Sequence, residues 1–114
     1  MSLSAIFSAV SFSASMSKPQ LIMEAAEFQV NLAKAIGQTS IAMASSSTPQ
    51  SQMNTIKKAF KELNKITKNV NKTLSKVHKN KMNINMASAQ LDDNAREATQ
   101  ATRVVDFDAL GFGI

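Results

Sequence analysis

Seven of the eight acidic side chains and the one histidine, out of 114 residues, stand out as groups that could take up protons in mild acid: Glu24, Glu27, Asp92, Asp93, Glu97, Asp106, Asp108 and His78. Asp92, Asp93 and Glu97 fall within about two turns of a helix. Packed copies of such a segment would bring like charges together, which favours proton uptake. Glu24, Glu27, His78, Asp92, Asp93 and Glu97 are therefore the candidate pH-responsive groups. The plain alternative for each is a solvated surface charge. Catalytic chemistry has no foothold. The chain has no Cys and one His, which excludes thiolate nucleophiles and sites that need several imidazoles. No Ser-His-Asp spacing, Gly-rich phosphate loop or paired-carboxylate cleft stands out. An enzyme is not expected, and neither a cofactor, a metal nor a small-molecule substrate is expected.

Charge is segregated along the chain. Nine lysines lie between Lys57 and Lys81 against Glu62 alone, whereas five acids lie between Asp92 and Asp108 against Arg96 and Arg103. A basic run can bind nucleic acid or an anionic membrane. Here no aromatics interleave to stack bases, which disfavours nucleic acid. The remaining readings are a solvated helix face, or a basic middle that lies against the acidic end of a neighbouring copy and sets its stagger.

The elements that hold these groups read as helices. Two phrases, Ser17-Lys18-Pro19-Gln20 and Ser47-Thr48-Pro49-Gln50, look like helix starts, with Ser as cap, Pro in the first turn and Gln closing a capping box. They divide the chain into an apolar, Ser-rich assembly arm (1–16), a first helix with its turn (17–48), a long second helix (49–110) and an apolar tail (111–114). The arm lacks a basic start and is too short to span a bilayer, so no cleaved signal is expected. In the first helix Leu21, Phe28, Leu32 and Ile36 form a stripe. Ala33 and Gly37, four apart, either allow close backbone approach or leave Gly37 as an interior flaw costing about 1 kcal/mol.

Ile56, Leu63, Val70, Val77, Ile84, Leu91, Ala98 and Val105 recur every seven residues, with Phe60 and Leu74 in a flanking column, and no Gly or Pro occurs between Pro49 and Gly111. This predicts one helix with a narrow seam, with the Asn- and Lys-rich stretch 80–85 as the place where a kink or break would fall. Ile56, Phe60, Leu63, Val70, Leu74, Val77, Ile84, Leu91 and Val105 form the expected assembly seam. A single long helix has little to cover such a seam, so a second copy of the chain is the expected partner. The apolar ends, including Phe112 and Ile114, are expected to insert into neighbours. The expectation is an all-α fold, a helical hairpin with a long C-terminal helix, polymerising side by side.

Phe28-Gln29, the run Ala33 to Gly37, the Gln-rich turn at Gln50 and Gln52, and Ala89-Gln90, Asn94, Ala98-Thr99 and Val104 resemble the R-body proteins of the "killing trait" family. Glu24 to Glu27 and the lysine segment depart from that pattern. The resemblance implies a bacterial subunit of a coiled cytoplasmic ribbon that extends at acidic pH and contributes to the killing of protist hosts. Its partners would be copies of itself or a homologous second subunit, with membrane contact on extension. The chain is also similar to type III secretion filament and pilin subunits, which implies export to the cell surface without a cleaved signal. A basic amphipathic membrane- or nucleic-acid-binding protein is a further alternative.

Overall fold

The computed structural model describes residues 2–107, 110 and 111. They form four helices: α1 (Leu3–Ser8), α2 (Lys18–Ala44), α3 (Gln50–His78) and α4 (Ile84–Arg103), with no strand among the described residues. The chain is all-α, as expected, and α2 and α3 form the expected hairpin. The body measures 46 × 23 × 17 Å. Asp108, Phe112 and Ile114 lie outside the described residues.

The first helix start forms as the sequence predicts. Gln20 N donates to Ser17 Oγ at 3.2 Å, Ser17 N donates to Gln20 Oε1 at 2.9 Å, and Pro19 occupies the first turn. The second phrase behaves differently. Pro49 is the cap of α3 and no side chain caps it. Thr48 instead turns back, its hydroxyl donating to the Ala42 carbonyl at 2.6 Å. The same carbonyl, in the last turn of α2, also accepts from Ser45 N at 3.3 Å. Ser47 is drawn into the turn as well, its N–H donating to Ser45 Oγ at 3.3 Å.

The single helix expected over 49–110 is two helices. Asn80 takes φ +57 just beyond the C-cap Lys79. Lys81 N donates to Lys76 O at 2.8 Å and Asn80 N donates to Val77 O at 3.1 Å. This pair of bonds is a Schellman motif with Asn in the left-handed position, one of the few non-Gly residues that enter it readily. Asn83 then caps α4, accepting from Met86 N at 2.8 Å. A stop signal at Asn80 and a start signal at Asn83, three residues apart, reverse the chain. Thr73 Oγ1 donates to Gln90 Oε1 at 3.1 Å across α3 and α4, and Gln29 Nε2 donates to Asn71 Oδ1 at 2.7 Å across α2 and α3. The three long helices thus run up, down and up.

This reversal corrects the assembly seam. Ile56, Leu63, Val70, Leu74, Val77, Leu91 and Val105 are buried in the chain's own core, and Phe60 and Ile84 are partly buried. Half of the seam covers the other half, with α2 closing it through Leu21, Phe28 and Leu32, all fully buried, and Ile36, partly buried. Many core positions on α4 are small, including Ala87, Ala95, Ala98 and Ala101, so this helix can pack closely. Thr99 and Thr102 donate their hydroxyls to the carbonyls four residues back, Ala95 and Ala98, so their burial leaves no open donor.

The arm is corrected in the same way. Rather than reaching for a neighbour, α1 packs on α2 and α4. Leu3, Phe7 and Phe12 are buried, and Phe7 meets Phe28 edge-on with ring centroids 5.8 Å apart. Phe12 lies on the same ring at 6.2 Å. The arm's two aromatics thus cover Phe28, which is fully buried. After α4, Val105 and Phe107 are buried too, so the chain folds inwards at least as far as Phe107.

Candidate interaction surfaces

Two surfaces remain once the core is accounted for, and each is set by a helix with a regular exposed column. The first is the outer side of α2. Its inner column, Leu21, Phe28, Ala35 and Ala42, is fully buried. Two residues on, and so on the opposite side of the helix, the column Met23, Val30, Gly37 and Ala44 faces outwards. Met23 is 73% exposed, Val30 66% and Ile41 60%. Ala26 and Ala33 are exposed between them. Ala33 and Gly37, which could either allow close backbone approach or leave Gly37 as an interior flaw, meet no close neighbour within the chain. A Cβ built on Gly37 meets nothing within 4 Å.

The second surface is α3. Lys57, Lys61, Lys65, Lys68, Lys72, Lys76 and Lys79 recur at intervals of three and four, and all are exposed. Such intervals put successive residues on one face. The ion pairs found among the described residues involve Arg96 and no lysine. Between α3 and α4 runs an open groove of about 610 Å³ where Glu62 and Lys65 face Asp93, Arg96 and Glu97. A second groove of about 300 Å³ places Lys72 and Lys76 with Asp93 and Glu97. The reversal at Asn80 has therefore brought the basic and acidic halves of the sequence side by side within one chain.

The candidate pH-responsive residues are not gathered at one place. Glu24 is partly buried and Glu27 exposed on α2, while His78 is exposed at the end of α3. Asp92, Asp93 and Glu97 share α4, where each has a local partner. Arg96 pairs with Asp92 at 3.7 Å and with Asp93, and Asn94 Nδ2 donates to Glu97 Oε1 at 3.1 Å. No cluster of three or more metal-binding side chains occurs among the described residues. No helix among them is long and apolar enough to cross a membrane.

The outer column of α2 was legible as Met23, Val30, Gly37 and Ala44 at seven-residue spacing, but the buried stripe beside it carried the stronger signal. Comparison with protein-family models, curated proteins and solved structures finds no match to the chain.

Proposed function

We propose that the protein is a non-enzymatic structural subunit that assembles with copies of itself, and that the outer face of α2 is the contact. The observation that carries this reading is that α2 is apolar on two opposite sides while the chain covers only one. Met23, Val30 and Ile41 stand exposed along a single helix, an arrangement that favours burial against another apolar surface.

A second copy fits this face in size and charge. With two α2 helices antiparallel and the two Val30 residues opposite each other, Met23 lies over Gly37 of the second copy. Glu27 comes within reach of Lys34 of the second copy. Two-fold symmetry repeats both contacts. A large side chain meets a missing one, and an acid meets a base. Such a helix pair buries roughly 600–800 Å², short of the ~1,200 Å² of a stable complex. It suits an array in which each copy makes more than one contact. Met86 and Val104, exposed at the two ends of α4, are the other large apolar side chains free for a second contact among the described residues.

Within this class, the R-body-type ribbon that extends in acid is the first reading and a type III secretion filament the second, both supported by the resemblances of the sequence. Sedimentation and electron microscopy test the proposal. The wild-type protein should form particles far larger than one chain. Val30→Asp, at an exposed site, should remain helical and sediment as a monomer. A monodisperse wild-type monomer at high concentration would sink the reading, as would unchanged assembly of Val30→Asp. Images separate ribbon from filament, and a change of curvature or length between about pH 5 and 7 belongs to the ribbon.

A further inference from the structure

We infer that α3 carries a second and independent binding surface, a lysine ridge that holds the phosphate backbone of duplex nucleic acid without reading its sequence. The ridge runs from Lys57 to Lys79, which at 1.5 Å per residue is about 33 Å. One ammonium group follows another roughly every 5–6 Å. The fold makes little use of this charge. Glu62 is the one acid on α3, and among the described residues the ion pairs within 4 Å involve no lysine of the ridge. Asp93 and Glu97 face Lys65, Lys72 and Lys76 across the groove beside α4. Like charges at these intervals oppose helix formation, so the line is not explained by the stability of α3.

The chemistry between the lysines selects the polyanion. The other exposed side chains of α3 include Asn54, Asn71 and Ser75, which can hydrogen-bond phosphate oxygens. No large apolar side chain is exposed on α3, so the ridge has nothing to insert among lipid chains. Phe60, its one Phe, Tyr or Trp, is partly buried, and the His78 imidazole stands alone at its C-terminal end, so no succession of rings is offered for stacking the bases of a single strand. What remains is a polar, cationic edge about as long as one turn of duplex. Such an edge meets phosphates along one side of the duplex only, so about three to five of the ammonium groups engage at once.

Fluorescence anisotropy with a labelled duplex of about 24 base pairs tests this, over a salt series from about 50 to 200 mM. The wild-type protein should bind in the micromolar range at the low end, equally to unrelated sequences, with affinity falling steeply as salt rises. Lys61→Gln/Lys68→Gln/Lys72→Gln should lose at least tenfold in affinity and flatten the salt slope by at least one unit. Lys18→Gln/Lys81→Gln/Arg103→Gln removes the same charge elsewhere and should lose less than about threefold. Circular dichroism confirms that both variants stay helical. Equal losses in the two variants would reduce the effect to net charge and overturn the ridge. Absence of wild-type binding at low salt would overturn it too. Tighter binding to phosphatidylserine vesicles than to duplex would overturn the assigned partner.

Discussion

Replacing Gly37 by Ala should stabilise the isolated subunit and weaken its assembly, two effects of opposite sign from one methyl group. Gly37 lies within α2, which runs from Lys18 to Ala44, and its backbone is not in the left-handed region. Glycine inside a helix costs about 1 kcal/mol relative to alanine, largely through the freedom it loses on folding. An added Cβ meets nothing within 4 Å, so no clash offsets the gain. The residue is only half-buried, so burial of the new methyl adds little. The net gain is about 0.8–1 kcal/mol. At ~2.1 cal/mol/K per residue the unfolding entropy of a 114-residue chain is about 0.24 kcal/mol/K, so the melting temperature should rise by about 3–4 °C. Thermal unfolding followed by circular dichroism, at a concentration low enough to keep the protein monomeric, measures this. In assembly, the same methyl stands where Met23 of a second copy would sit. Sedimentation at high concentration should therefore show smaller particles for Gly37→Ala, and Gly37→Leu should assemble least. A lower melting temperature would show that the fold itself needs Gly37. Unimpaired assembly of Gly37→Leu would remove the proposed register.

Two further outcomes follow from the corrected topology. Phe7→Ala removes a fully buried ring stacked edge-on against Phe28 and should cost about 3–5 kcal/mol. Limited proteolysis should then cut within residues 2–16, and an unchanged cleavage pattern would mean that the arm is not docked. Asn80→Gly should raise stability in urea unfolding by up to about 1 kcal/mol, and Asn80→Val should lower it by about 1–2 kcal/mol, because Val resists φ +57. Equal stability of the two variants would argue for a continuous helix through position 80.

The sequence pattern and the fold part company where a pattern has no direction. The seven-residue spacing from Val77 to Ile84 is the same whether the chain continues or turns back, so periodicity is blind to the reversal. The helix class, the cap at Ser17 and Gln20, and the apolar positions were readable because each depends on local spacing. The reversal rests on Asn80 and Asn83, residues common in turns but absent from the Gly and Pro signals that usually mark them. The arm's place could not be read at all, since it depends on contacts over Phe28 that exist only after the helices pack. Likewise Ser47 matched the cap at Ser17 by type, but Thr48 had a nearer carbonyl to satisfy at Ala42.

The same reversal changes what the charges can do. In the extended helix, Asp92, Asp93 and Glu97 would have been an acidic end seeking a basic neighbour. Folded back, Asp93 and Glu97 lie across open grooves from Lys65, Lys72 and Lys76, while Asp92 borders a different groove beside α1, with Arg96 between the two aspartates and Asn94 on Glu97. The two Arg96 pairs are exposed and contribute less than about 1 kcal/mol each. The acid-responsive ribbon proposed above would place its switch where copies pack with the acidic sides of several α4 helices facing one another, so that repulsion accumulates over many repeats. The ridge on α3 sets a limit on that packing, because copies brought together on that side must also bring a counter-charge for its lysines. The outer face of α2 carries Glu27 beside Lys34 and little other charge, which makes it the side on which copies can approach with the least electrostatic cost.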